Sequence, residues 1–307
     1  MKLNKLFITT CMALSCSAMQ AQEVYKIYDG VAPGSEGANY KEIVIPSMFN
    51  RPLITNVTEP TITVYRPEPE INTGACVIVA PGGGNVYLTW EEEGVNVAQW
   101  FQRHGVTGIV LKYRTKFVGN TEAEVKEGTK WLFESLSANY ATIGKKPTTK
   151  PVTNPADIRK KPDPTIQGDD GRQAIRYIRA HAKELGIDPQ KIAITGFSAG
   201  GSLVVNVMEH NDDACRPNLA APIYGVFNNP GLPEHPVPTF ICAPEWDLGG
   251  PEGPEFLYNE FRAEAIPAEL HFIYESWHGE GLLYDGKNWE NWIVLLHNFM
   301  RANKLVP

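Results

Sequence analysis

The chain has 307 residues, 43% of them hydrophobic and 21% charged, enough to bury a large core and too apolar for a disordered polymer. Its formal net charge is −7, from 28 basic and 35 acidic residues. An acidic surface repels phosphate backbones and anionic lipid, so nucleic acids and membrane surfaces are poor partners.

Residues 1–21 read as a secretory signal. Lys2 and Lys5 open it, LFITTCMALSCSAM is its apolar stretch, and Ala18 and Ala21 offer small residues for cleavage. That stretch is too short to span a membrane, and no later one approaches about 20 apolar residues. The expected location is periplasmic or secreted, with residues 22–307 forming one catalytic domain. Cys16, after ALS, offers a lipid-anchored alternative, although Ala13 stands where such signals carry leucine. Beyond the leader remain Cys76, Cys215 and Cys242, an odd number for an oxidising compartment. Cys76 and Cys242 fall in apolar runs and read as small hydrophobes. Cys215, in NDDACRP, is expected to be the more exposed.

Along the chain, EVYKIYDGVAPGSEG is punctuated by Gly and Pro and is expected to lie extended on the surface. Six short apolar runs follow: TITVY (61–65), ACVIVA (75–80), GIVLKY (108–113), KIAIT (191–195), PTFICA (238–243) and ELHFIY (269–274). Runs of this length suit central parallel strands covered on both faces. Helical patterns alternate with them. Val97, Trp100, Phe101 and His104 make one stripe. Ile175, Ile178, Ala182 and Leu185 make a second, opened by Asp169 or Asp170 as N-cap and closed by Gly186. Trp292, Leu295, Leu296 and Phe299 make a third. The alternation predicts an α/β fold, a mostly parallel sheet flanked by helices. Residues 114–168 break the rhythm with a helical segment and a tract rich in Lys, Pro and Thr. Strand and helix in such a unit are joined by about 2–6 residues, so this is an insertion. At a strand's carboxyl end it lies where ligands bind, as a partial cap or a solvated excursion.

The chemistry concentrates in three places. Within KIAITGFSAGGSLVV, a strand, Gly-x-Ser-x-Gly and a helical stripe succeed one another, the pattern of a nucleophile elbow. Gly196 and Gly200 keep side chains out of the turn so that Ser198 projects from it. A structural corner is the alternative. After the strand ending at Ala80, Gly82, Gly83 and Gly84 free backbone amides to face a carbonyl oxygen. A flexible turn and a phosphate cradle are the competing readings, but no Lys-Ser/Thr follows. The expected oxyanion donors are the amides of Gly83, Gly84 and Ala199. The base should be a histidine on a late loop after a strand. Of seven histidines, only His278, in YESWHGEG, fits that place, with His235 second. The acid belongs after the preceding strand, where PTFICAPEWDLGG offers Asp247, preferred, and Glu245. Either carboxylate could instead cap the next helix.

APGGGNVYLTWEEEGVNVAQWFQRHGVTGIVLKYR, GRQAIRYIRAHAKELGIDPQKIAITGFSAGG and SWHGEG resemble the secreted esterase branch of the α/β-hydrolase superfamily, near the carbohydrate acetyl (acetylxylan) esterases often labelled xylanase B-like. The likeness covers most of residues 54–113 and 168–303. It implies a serine esterase acting on acetyl groups of plant polysaccharide such as xylan, with Ser198, Asp247 and His278 as the triad and the Gly83–Gly84 loop as oxyanion hole. It implies no metal or organic cofactor. Pro81 stands where many lipases carry the histidine of His-Gly-Gly-Gly, as is common in this branch. Relatives often carry paired aspartates, where EWDLGG has one. A feruloyl or aryl esterase would use the same triad with a wider acyl pocket. A serine peptidase of this fold usually adds a propeller, for which the chain has no room, and an inactive glycan-binding protein would be expected to lack the nucleophile or base. Among aromatic residues flanking the motifs, Tyr87 and Trp277 rank ahead of Trp90 and Trp246 for stacking on a sugar ring.

Overall fold

In the computed structural model, which describes residues 23–46, 51–141, 164–225 and 232–307, the β-branched runs become strands of one eight-stranded sheet. The leader with Cys16, and residues 142–163 of the insertion, lie outside the described residues. In chain order the elements are β1 (Glu23–Lys26), β2 (Ile43–Pro46), β3 (Pro52–Thr55), β4 (Thr61–Tyr65), β5 (Cys76–Ala80), β6 (Tyr87–Thr89), α1 (Asn96–Arg103), β7 (Thr107–Lys112) and α2 (Glu122–Tyr140). They continue as α3 (Ile166–Ala180), β8 (Ile192–Phe197), α4 (Ala199–Glu209), β9 (Leu219–Ile223), β10 (Thr239–Pro244), α5 (Glu252–Ala263), β11 (Ala268–Ile273) and α6 (Asn291–Ala302). The main sheet has the order β1-β4-β7-β5-β8-β9-β10-β11. β4 runs antiparallel to both its neighbours, and every pair from β7 onward is parallel.

The two-residue period of the central strands divides the core. Ile78, Ile109 and Ile194 face a cluster built with Ile175 and Ile178 of α3 and Leu203, Val204 and Val207 of α4. Val77, Val79, Val110 and Ala193 face the opposite one, with Val97 and Phe101 of α1 and Trp292, Leu296 and Phe299 of α6. Both faces are dry, which is why these strands read as unbroken apolar runs. A second sheet, β2-β3-β6, stands apart. Its Ile45, Leu53 and Tyr87 pack against Val125 and Leu132 of α2, so the described part of the insertion is anchored by a small core of its own.

Several expectations are corrected. The Gly- and Pro-punctuated start contributes an edge strand, β1, paired with β4. β9 is a central strand although LAAPI, with its alanines and proline, carries little β signal. In α1 the buried stripe is Val97, Ala98 and Phe101, and His104 is exposed, its ring stacked 3.7 Å from that of Trp100. Cys215 is buried, its sulfur accepting from the Asp212 amide at 3.3 Å.

The N-cap of α3 is Thr165, whose hydroxyl accepts from the Gly168 amide, not Asp169 or Asp170. Asp170 lies one turn further in and is fully buried. It accepts from the Arg114 amide at 2.9 Å and from the Arg114 guanidinium at 2.7 Å. The Tyr28 hydroxyl donates to the same carboxylate at 3.0 Å. The pair ties the segment after β1, the end of β7 and the start of α3 to one point. Removing one partner of such a pair strands a buried charge. Asp170→Ala should therefore lower unfolding free energy by about 3–5 kcal/mol in a urea titration. A loss below about 1 kcal/mol would show that the pair does not hold these elements.

Candidate functional site

β8 ends at Phe197, and Ser198 turns the chain with φ 52° and ψ −116° into α4. A non-glycine residue at positive φ costs on the order of 1–3 kcal/mol and persists only where its surroundings over-determine it. Here the Ser198 amide donates to the Ile223 carbonyl at 3.1 Å, locking the turn to the end of β9. The turn also passes close beneath β5: a Cβ at Gly200 would lie 2.0 Å from the Ala80 carbonyl oxygen and 2.6 Å from that of Pro81. Only glycine permits that approach.

The hydroxyl so presented meets the histidine predicted from sequence. Ser198 Oγ lies 2.7 Å from His278 Nε2, and His278 Nδ1 lies 2.7 Å from Asp247 Oδ1. With the proton on Nδ1, the imidazole donates to Asp247 and accepts from Ser198. The His278 and Asp247 side chains are only 4% and 3% exposed, so the relay is held away from solvent. Asp247 follows β10, and its second oxygen accepts from the Gly249 amide at 3.0 Å. Glu245 is exposed, so the carboxylate on His278 is that of Asp247. His235 is exposed ahead of β10, at the amino ends of the parallel strands, whereas Ser198 follows β8 at their carboxyl ends.

The glycine loop after β5 completes the cleft. The Gly83 carbonyl accepts from the Val86 and Tyr87 amides at 3.0 and 3.1 Å, and a Cβ at Gly83 would fall 2.0 Å from the Tyr87 carbonyl oxygen. Among the described residues, the Gly83 and Gly84 amides have no hydrogen-bond acceptor. Ala199, as the first residue of α4, has no carbonyl one turn earlier in that helix to receive its amide. Gly83, Gly84, Ser198 and His278 share a pocket of about 90 Å³, which Leu132, Phe133 and Leu136 of α2 also line. Tyr87 is a buried wall of this pocket, its ring stacked 5.7 Å from Phe133, and offers no open face to a sugar. Trp277 is half-buried, with Tyr140 edge-on at 5.1 Å and Lys287 Nζ 4.2 Å from its ring centre.

Sequence reasoning missed Glu93. It lies in a π-helical turn, Glu91–Val95, ahead of α1, where an acidic run looks like a solvated face. Yet Glu93 is buried, accepting from the Gly82 amide at 2.8 Å and the Tyr224 hydroxyl at 2.7 Å, while that hydroxyl accepts from the Gly281 amide at 2.9 Å. One carboxylate thus joins the glycine loop, the end of β9 and the histidine loop. No local signal announces this, because Tyr224 is far along the chain. Burial pushes the Glu93 carboxyl up to about 7, against the pull of its hydrogen bonds to Tyr224 and Gly82. For His278, burial opposes the imidazolium, but the Asp247 charge and hydrogen bond, with Glu93 behind, outweigh it and raise its pKa.

The BD-FAE family model matches residues 159–220, a segment that carries α3, β8 and the Ser198 turn. A curated acetylxylan esterase from Xylanibacter ruminicola is 25% identical over 160 residues, 52% of this chain and 24% of that protein. The chain thus spans about a quarter of that relative's length. Among solved structures, an acetyl ester-xyloside bifunctional hydrolase from Caldicellulosiruptor lactoaceticus superposes with a TM-score of 0.57 at 23% identity, covering 88% of this chain and 100% of that one. An α/β hydrolase enzyme from a Medee basin deep-sea metagenome library gives a TM-score of 0.56 at 19% identity, covering 85% and 98%.

Two carboxylates acting on one imidazole lead to a measurable shift. By NMR titration, His278 should titrate above the usual value of about 6.5. Glu93→Gln, which removes one favourable negative charge, should lower it, and Asp247→Asn should lower it further. No downward movement in Glu93→Gln would mean that Glu93 does not act on the imidazole.

Proposed function

We propose that this chain, which has the α/β-hydrolase fold, is a serine esterase that removes acetyl groups from plant polysaccharide or oligosaccharide such as xylan. The observation that carries this reading is the hydrogen-bonded series Ser198–His278–Asp247 opening into a small pocket beside two uncommitted backbone amides. Ser198 Oγ attacks the ester carbonyl while His278 Nε2 takes its proton. Asp247 keeps the imidazole in the required tautomer and stabilises the imidazolium that forms. The amides of Gly83, Gly84 and Ala199 receive the developing oxyanion. The leaving sugar hydroxyl takes the proton back from His278, and water, activated by the same imidazole, releases acetate from Ser198.

Pocket size supports acetyl over feruloyl. About 90 Å³ falls well below the roughly 300–1,000 Å³ of drug-sized ligand sites, and Leu132, Phe133 and Leu136 give a short acyl chain an apolar wall. The similarity to an acetylxylan esterase supports a carbohydrate on the alcohol side. Trp277, half-buried and next to His278 in the chain, is the aromatic residue that would meet a sugar ring. The leader-like residues 1–21 support export to the periplasm or beyond.

Ser198→Ala should reduce kcat on p-nitrophenyl acetate by about three orders of magnitude or more. Unchanged turnover would remove Ser198 from the reaction. Asp247→Ala should cost far more activity than Glu245→Ala, and the reverse order would reassign the acid. Across p-nitrophenyl esters, kcat/KM should fall from acetate to butyrate and be lowest for ferulate; a maximum at ferulate would overturn the acetyl assignment.

A further inference from the structure

The π-helical turn directs two consecutive glutamates, Glu92 and Glu93, to the pocket that holds Ser198 and His278. Their situations differ. Both Glu93 oxygens are engaged, by the Gly82 amide and the Tyr224 hydroxyl. Glu92 is just as withdrawn from solvent, with 4% of its surface exposed, yet its Oε2 has no hydrogen-bond partner. Burial raises the Glu92 pKa, and the charge of Arg51 only partly offsets this. A buried carboxylate oxygen left unpaired is costly, whichever protonation state it holds. Glu92 also lines the pocket that holds Ser198, where its carboxylate can meet a hydroxyl-bearing ligand.

The pocket lining is mixed. Leu132, Phe133 and Leu136 form an apolar wall that suits a methyl group, and Glu92 stands among the polar lining. An acetyl methyl belongs against the former, which leaves the alcohol portion of the ester for Glu92. Glu92 and Ser198 line one pocket, so a group reaching Glu92 does so while the ester carbonyl is held at Ser198. We propose that Glu92 is a specificity-determining residue that hydrogen-bonds a free sugar hydroxyl flanking the acetylated position, so that partly acetylated sugars are favoured over fully blocked ones. This rests on the esterase reading above.

The test compares a monoacetylated methyl xyloside with its counterpart whose flanking hydroxyls are replaced by hydrogen. A site built to bond a hydroxyl rejects the analogue lacking it. The native enzyme should favour the hydroxylated ester by about tenfold or more in kcat/KM. Glu92→Gln, close in shape, should lose part of that preference and Glu92→Leu nearly all of it, with circular dichroism confirming the fold of each. An equal preference in all three proteins, or none in the native enzyme, would overturn the proposal. So would a preference for glycolate over acetate esters that disappears in Glu92→Leu, since that would put the hydroxyl on the acyl side. Ser198→Ala, assayed in parallel, separates the two levels. Retained turnover there would remove the esterase reading itself, whereas full loss there beside an unaltered preference in the Glu92 variants would remove only the role of Glu92.

Discussion

Ser198 is held at a positive φ between three strands, and most of the site follows from how it is held. Its amide is tied to Ile223 at the end of β9, and the helix after it runs so close to β5 that Gly200 abuts the carbonyls of Ala80 and Pro81. The parallel register that pairs Ala80 with Gly196 sets this approach. Because Pro81 begins the glycine loop, the contact that strains the serine turn also places Gly83 and Gly84 beside it. The Ser198 hydroxyl and the glycine-loop amides are therefore positioned by one piece of sheet geometry rather than by separate loops. The strain is supported by strands buried on both faces, where a shift would disturb two cores at once.

Below the cleft, Glu93 performs a related task with polar atoms. It gathers Gly82, Tyr224 and, through Tyr224, Gly281, so the glycine loop and the histidine loop share one buried anchor. In a low-dielectric interior such hydrogen bonds are strong, and an unpaired member is expensive, so the network holds as a unit or fails as one. Its negative charge also bears on the imidazole. The same group thus orders the loops and favours the protonated form of His278.

The cap is assembled from pieces distant in sequence. β2 and β3 come from the segment before the main parallel strands, β6 from just after the glycine loop and α2 from the insertion, and they meet in a small cluster around Leu53, Tyr87 and Leu132. This cluster and the pocket share residues. The volume of the pocket is accordingly set by the packing of these pieces, while Ser198, His278 and Asp247 are set by the main sheet. The first can vary without disturbing the second.

What could be read from the amino-acid sequence was whatever depends on neighbours in the chain. Six strands appear as short apolar runs, five of them because a strand buried on both faces must be apolar throughout, while ELHFIY became the half-buried edge strand β11 rather than a central one. The Ser198 turn shows itself because glycines must flank a strained residue. His278 stood out because only one histidine follows a strand on a glycine-bounded loop. Asp247 was harder, since either it or Glu245 satisfied the local pattern, and only folding put one carboxylate against His278 Nδ1 and left the other exposed. β9 escaped because Ala-Ala-Pro has no strand signature and owes its place to the partners on either side. Asp170 read as a helix cap and became half of a buried ion pair, because Arg114 is distant in sequence and adjacent only in space. Glu92 and Glu93 drew no reading from sequence for the same reason. Local pattern therefore determined most of the elements and the residue types that meet at Ser198. Which carboxylates are buried, what they touch and how much room the pocket has depend on contacts between distant segments, and these exist only once the sheet, the loops and α2 have come together.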